Sequence, residues 1–342
     1  MTVLWVDLVS ELGGAQRSLL EICSSLSSFG VNVAAAVPNG PLYGELAAAG
    51  VDVYPVSPLR AQKRGWGIFS TTAKLLRAPA PVAQIARAVK PDIVHANNLT
   101  AFLATSHVPS RIPVFWHVRD MRLPIPIARE AAKKASRLIA ASEAIDEYLV
   151  DILSPRLLGR IRVIRNGIDL SRFRPGDRTA ARQAFGLPPA GPVIGMVAHL
   201  IPWKRHDAFI EAAALIRRQL PDACFVAVGR DLFNEHERWV AKLERLVAGH
   251  GLQPCFRWIR DLDESQKILP AFDVLLHPAL HEPFGRIICE SMACGVPVIA
   301  AASGGPSTII RNGVSGILVR DGDPAGFATE ALGLLADPAR AA

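Results

Sequence analysis

Short apolar runs alternate with longer amphipathic stretches along this 342-residue chain, and the alternation runs through twice. Apolar runs at 3–8, 31–37, 51–56, 92–95, 113–117, 137–140 and 162–164 read as strands, with helices expected at 15–29, 69–89 and 142–153. A second series follows, with strands at 193–198, 224–228, 256–259, 273–277, 297–300 and 316–319 and helices at 206–219, 235–248 and 285–294. Such alternation is the pattern of parallel sheets covered by helices. Residues 172–192, rich in Pro, Gly and Arg with a short helix inside, divide the two series. The expected class is α/β: a first domain at 1–172, a connection at 173–191 and a second domain at 192–342. Two Rossmann-like parallel-sheet domains of this kind, facing each other, would enclose an interdomain cleft.

The length suits two domains, and 50% hydrophobic with 20% charged residues excludes disorder. The five cysteines, Cys23, Cys224, Cys255, Cys289 and Cys294, contain no Cys-x-x-Cys pair and fall where strands and helices should be buried. Reduced core thiols are expected, not a disulfide frame or a zinc site. The opening MTVLWVDLVS has neither the basic flank nor the cleavage site of a signal peptide and reads as a first strand. No apolar run approaches the roughly 20 residues that span a bilayer, so a cytoplasmic location is expected.

The net charge of +7 is unevenly spread. Arg60, Lys63, Arg64, Lys74, Arg77, Arg87 and Lys90 lie between Asp52 and Asp92 with no acid among them, interleaved with Trp66, Ile68, Phe69, Leu75 and Leu76. Such a segment can lie on an anionic membrane surface, peripherally, at about 1 kcal/mol per cation. It can equally meet an anionic, lipid-linked acceptor, or be a solvated loop and helix face. No nucleic-acid-binding module is present, and nucleic acid is not an expected partner.

Residues with chemistry cluster at strand ends: Gly13-Gly14, His95, His117, His199, Gly229 and Glu282. Carboxyl ends of parallel strands line the ligand crevice of open α/β sheets. Glu282 and Glu290 flank a turn and the start of a helix directly after the strand ending at His277. The helix start suits a phosphate, whereas the glutamates suit hydroxyls, and the combination describes a nucleotide-sugar pocket. The plainer alternative pairs Glu290 with Arg286 one turn earlier, worth roughly 0.3 kcal/mol on an exposed face. Glu290 lies among Ile287, Ile288, Cys289 and Met292, however, where an acid needs a better partner than water. Lys204 opens the long helix of the second half and can meet a diphosphate there, or be a surface lysine. His117 by itself is as well explained by a satisfied core histidine. Gly13 and Gly14 also fit an ordinary helix-entry turn, and Arg119 with Asp120 fits a local ion pair.

The segment EPFGRIICESMACGVPVIAAASGG resembles the Glu-x7-Glu segment of the retaining family-4 glycosyltransferases, which have the GT-B fold. GGAQRSLLE, HANN, FWHVRD, VIRNGID and HLIPWKRHD resemble family segments in the same order, so the likeness covers nearly the whole chain. It implies a hexosyltransferase that uses a nucleotide-diphosphate sugar as co-substrate, UDP- or GDP-linked, with no cofactor and no metal. Cell-surface polysaccharide or glycolipid synthesis is the setting that family breadth implies. Lys204 matches the lysine that contacts the donor pyrophosphate, Glu282 the glutamate that contacts the donor sugar, and Glu290 the one that holds the ribose. Phe284, Gly285, Arg286 and Ile287 would offer backbone amides to sugar and phosphate. His117 matches a first-domain histidine near the donor sugar, and Gly13-Gly14 the loop that passes the donor phosphate. His95, Asn97 and Asn98 fall on the acceptor side. Retention in the family is ascribed to front-face attack with the acceptor proton passing to a leaving-phosphate oxygen, which would make Glu282 a binding residue.

Three features depart from the family pattern. His199 stands where members often carry an arginine, and a histidine is not permanently charged; Arg205 or Arg286 would then supply the charge. Gly304-Gly-Pro-Ser-Thr308 replaces the usual Pro-Glu after the Gly-Gly turn, and the sequence stops at LLADPARAA, short of one or two further helices. His199 and the missing C-terminal helix sustain an alternative: a catalytically weakened sugar-nucleotide-binding or scaffold protein of the same fold. A nucleotide-dependent dehydrogenase is excluded, because the first turn reads Gly-Gly-Ala-Gln and strand two ends in Ala36-Val-Pro38 without an acid.

Overall fold

The computed structural model describes residues 1–58, 78–262, 264–337 and 339. The chain divides into two compact units, Met1–Gly167 and Ile168–Ala342. The cations Arg60, Lys63, Arg64, Lys74 and Arg77 lie outside the described residues, as does the first part of the helix expected at 69–89. Its described part runs Pro79–Val89.

The first unit is a parallel sheet of β1 (Thr2–Val6), β2 (Asn32–Val37), β3 (Asp52–Pro55), β4 (Ile93–Ala96), β5 (Val114–Val118), β6 (Arg137–Ala140) and β7 (Ile161–Val163), in the order β3-β2-β1-β4-β5-β6-β7. Alternate residues of β1 feed two cores. Leu4 and Val6 pack with Val94 and Trp116 on one face, while Val3 and Trp5 pack with Leu19 and Leu42 on the other. A strand buried on both sides cannot alternate apolar with polar, which is why these strands appear as continuous apolar runs.

The second unit repeats the plan with β8 (Val193–Val197), β9 (Cys224–Val228), β10 (Phe256–Ile259), β11 (Val274–His277), β12 (Val298–Ala301) and β13 (Ile317–Val319), in the order β10-β9-β8-β11-β12-β13. Ile194 and Met196 enter one core and Val193 the other. Gly195 sits between them because a Cβ there would stand 2.2 Å from the Phe272 ring. Helix Pro324–Ala336, capped by the Asp323 side chain on the Gly326 N–H, closes the face also covered by His206–Gln219.

Each sheet reverses strand order once, between β1 and β4 in the first unit and between β8 and β11 in the second. Ligands of open α/β sheets bind at such reversals, outside the strands' carboxyl ends.

Residues 173–191 pack with the second unit. Phe173, Ala181 and Leu187 are in its core, and helix Arg178–Ala184 carries Arg182, 4% exposed, onto Asp273 at 2.6 Å. Four of the five cysteines are buried and all are free thiols.

Candidate active site

At the reversal of the first sheet the chain places one acid, Asp7, directly after β1 and fully buried. Its carboxylate accepts from the Val9 N–H (3.0 Å), Gln16 Nε2 (3.0 Å), Asn97 Nδ2 (2.7 Å) and Asn98 Nδ2 (3.0 Å). Burial pushes its pKa up, and these hydrogen bonds pull the other way. Asn97 and Asn98 follow β4, and Gln16 lies in the first turn of helix Gly14–Leu26, whose N-cap is Gly13. Asn98 also caps helix Leu99–Ala104 by accepting from the Ala101 N–H. Gly13 is close to Gln16: a Cβ there would lie 3.0 Å from Gln16 Oε1.

The adjacent strand end carries His117 and Arg119. His117 Nδ1 lies 3.1 Å from His95 Nε2 and 3.2 Å from Arg119 Nη2. His95 in turn stacks on Trp5 at 3.8 Å. Arg119 does not turn to Asp120, which instead takes Arg122. It runs inward, with Nε on Asn97 Oδ1 (2.8 Å) and Nη1 on Ser18 Oγ (3.1 Å) and Asn166 Oδ1 (2.8 Å). Burial, then the Arg119 charge, lowers the His95 pKa to about 3 and holds His117 well below its ordinary value. His117 Nε2 is buried with no hydrogen-bond partner among the described residues. A buried polar atom left so costs about 1–3 kcal/mol, which a ligand hydroxyl would relieve.

In the second unit Glu282, 6% exposed, stands near the end of β11. Its Oε2 takes Lys204 Nζ at 2.5 Å and His277 Nε2 at 3.1 Å. Burial opposes ionisation, but Lys204 and His277 outweigh it and hold the carboxyl at a pKa of about 2. Lys204 Nζ also stands 4.2 Å over the Trp203 ring. His199 follows β8, partly exposed. Its loop approaches Gly229, where a Cβ would lie 2.0 Å from the Ala198 carbonyl oxygen.

The turn after Glu282 is locked by the Gly304-Gly305 pair. The Gly305 N–H donates to the Glu282 carbonyl at 2.6 Å, and a Cβ at Gly305 would stand 2.2 Å from the Phe284 carbonyl oxygen. Phe284 is buried, and Gly285 (φ 95°) is the left-handed cap of helix Arg286–Ala293, with Arg286 and Ile287 in its first turn. The first N–H groups of a helix have no intrahelical partner. Glu290 does pair with Arg286, at 3.3 Å, but with both side chains under a tenth exposed and a second hydrogen bond from Ser265 Oγ at 3.0 Å. The pair is therefore interior, not the exposed helix pair that sequence spacing alone allows.

The structure thus gathers Gly13, Gly14, His95, Asn97, Asn98 and His117 at one sheet reversal. It gathers His199, Lys204, Glu282, Phe284, Gly285, Arg286, Ile287 and Glu290 at the other. Asp7, Gln16, Ser18, Arg119 and Asn166 escaped as site residues in the first unit, and Ser265 and His277 in the second. Asp7 has a signal, since it is the lone acid in an apolar run, and Asn166 lies in the quoted VIRNGID segment. Ser265 has none. Among the described residues no group of three or more His, Cys, Asp or Glu is placed to hold a metal ion, and no described helix is long and apolar enough to cross a membrane.

Residues 12–172 match the model of Glycosyltransferase Family 4, and residues 177–342 match that of Glycosyl transferases group 1. D-inositol 3-phosphate glycosyltransferase 2 of Catenulispora acidiphila is 35% identical over 234 residues, covering 64% of this chain and 53% of that protein. The D-inositol 3-phosphate glycosyltransferase of Mycolicibacterium gilvum is 36% identical over 208 residues, 59% of this chain and 45% of that one. The chain spans about half the length of these curated relatives. In fold it is similar to Anabaena HepE, solved in complex with UDP-glucose, at a TM-score of 0.85 and 24% identity over 100% of this chain and 91% of that one. Sucrose-phosphate synthase of Thermosynechococcus elongatus follows at 0.80 and 21% identity, over 99% and 91%. Each half is thus similar to a glycosyltransferase family model, in tandem, and the two Rossmann-like sheets are those of the GT-B fold.

Proposed function

We propose that this chain moves a hexosyl group, with retention, from a nucleotide-diphosphate sugar to an acceptor hydroxyl. The observation that carries the reading is Glu282 held between Lys204 and His277 at the reversal of the second sheet, with Glu290 on the helix that follows. An ionised, buried carboxylate accepts hydrogen bonds from sugar hydroxyls. An ammonium has three donors, so Lys204 can hold Glu282 and still offer protons to a diphosphate. Glu290 is set eight residues on to accept from ribose.

As the bond from the anomeric carbon to the diphosphate breaks, negative charge grows on the phosphate oxygens. Lys204 and the start of helix Arg286–Ala293 would stabilise it electrostatically, with His199, Arg205 or Arg286 adding charge or a hydrogen bond. The acceptor oxygen bonds to the same face, and its proton passes to the leaving phosphate oxygen. Glu282 then binds and does not attack. In the first unit His95, Asn97 and Asn98 are read as the acceptor side. No step needs a metal.

HepE was solved with UDP-glucose and with UDP, which makes a uridine nucleotide the first donor to try. The curated relatives act, by name, on an inositol phosphate, so phosphorylated cyclitols join sugars and lipid-linked sugars as acceptors. Polysaccharide or glycolipid synthesis at the cytoplasmic membrane face is the setting we favour, from the charge of the segment around Arg60, Lys63, Arg64, Lys74 and Arg77.

The test is thermal-shift binding of UDP, GDP, ADP and their sugars without added metal, followed by turnover with the one that binds. Stabilisation by a single base, lost in Glu290→Ala and Lys204→Ala, is expected. No shift from any nucleotide would remove the donor site, and with it the reading.

A further inference from the structure

We propose that Arg119 is a positioning residue that fixes the His117 ring with a bare Nδ1 and its proton on Nε2, so that His117 meets a ligand only as a hydrogen-bond donor. The inference rests on the first unit's site as read above, and it follows from the chemistry of four residues in a chain. A carboxylate such as Asp7 accepts, and an arginine can only donate. Asn97 lies between them, so its amide must face Asp7 Oδ2 (2.7 Å) and its carbonyl Arg119 Nε (2.8 Å). The Ala15 carbonyl, 3.3 Å from Asn97 Nδ2, independently demands the same orientation. With Nε so placed and Nη1 on Ser18 and Asn166, Arg119 has Nη2 directed at His117 Nδ1, 3.2 Å away. A proton on Nδ1 would point into a cation. Nδ1 is therefore the acceptor, shared with His95 Nε2 at 3.1 Å, and a neutral ring must carry its proton on Nε2.

The consequence is chemical. Nε2 already holds a proton and cannot take another from an acceptor hydroxyl, while Nδ1 is closed by Arg119 and His95. His117 is thereby barred from acting as a general base and is left to donate to an oxygen. The unpartnered Nε2 is the free end of that relay. Among the described residues, the charged or titratable groups facing the ring are Arg119 beyond β5 and His95 on β4, with Asp7 acting through Asn97. Burial first, then the Arg119 charge and the neighbouring His95 ring, disfavour the imidazolium.

The test is long-range nitrogen–proton NMR on histidine-labelled full-length protein, with His117→Gln to assign the ring and no donor sugar present. The reading is thus taken apart from any glycosyl transfer. In the wild type the ring should show a bare Nδ1 and a protonated Nε2, unchanged between pH 7.5 and 5.5. Arg119→Met should lift the constraint, so that a ring protonated on Nδ1 appears beside the wild-type tautomer. A wild-type ring protonated on Nδ1 would overturn the proposal even if the variant did not fold. So would a folded Arg119→Met protein, checked by its melting curve, whose His117 keeps the wild-type tautomer alone.

Discussion

Glu282 is the residue on which the second unit's site turns, and its environment sets what substitution does. Lys204 Nζ and His277 Nε2 share one carboxylate oxygen, with side-chain exposures of 14% and 1%. Removing one partner of a buried pair leaves the other charge without compensation, at about 3–5 kcal/mol. Lys204 keeps some contact with water, so the lower end applies. Glu282→Gln should therefore cost about 3 kcal/mol, read by urea unfolding. It should abolish the preference for a nucleotide sugar over the bare nucleotide, while nucleotide binding itself survives. Equal loss of both ligands would show that Glu282 holds the nucleotide and not the sugar. A gentler case is Lys90, exposed and left-handed (φ 51°) as the C-cap of helix Pro79–Val89. Glycine takes that conformation without a Cβ penalty, so Lys90→Gly should raise stability by about 0.5–1 kcal/mol.

At the level of elements, the site depends on turns that admit no side chain. Gly304 and Gly305 lie so close to the Glu282–Phe284 backbone that added Cβ atoms would stand 2.4 and 2.2 Å from carbonyl oxygens. Backbone cannot swing aside as a side-chain end can. Gly305→Ala should cost about 3 kcal/mol and lower donor affinity without touching a ligand group; a variant with wild-type melting and binding would refute the tight-turn account. Much of this was legible beforehand. The strand spanning 224–228 and the helix spanning 206–219 appear with their expected bounds, because apolar runs bracketed by amphipathic periods leave little choice. The Glu282 and Glu290 pair stood out because acids among apolar residues demand partners. What stayed hidden was partnership across the chain. Nothing near Arg119 in sequence tells that it passes over its neighbour Asp120 for Asn97 and Asn166, and nothing near Glu290 announces Ser265. Residues 173–191 look like a connector because Pro, Gly and Arg dominate them. Phe173, Ala181 and Leu187 are nonetheless core residues of the second unit.

For the molecule as a whole, buried histidines set the acid limit of stability. His95 and His206 have pKa values lowered to about 3, and His117 and His277 are lowered too, burial being the largest cause in each. Below the ordinary histidine value the unfolded chain takes up protons that the folded chain refuses. Stability is thus fully present above about pH 6.5 and falls as pH drops through the window towards 3. Glu282 adds to the loss lower down, between the ordinary glutamate range and about 2. The urea midpoint should fall steeply from pH 7 to pH 5, and His206→Phe should flatten the slope; a midpoint independent of pH would refute this. The bond between Arg182 and Asp273 bears on where this molecule can be cut. Asp273 also takes Arg178 at 2.9 Å and the Val193 N–H at 2.7 Å, so the arm ahead of β8 is stitched to the start of β11. For anyone building chimeras, the tempting joint at Gly191 would strip the recipient sheet of Phe173, Ala181, Leu187 and both arginines. The exchangeable cassette begins upstream of the arm.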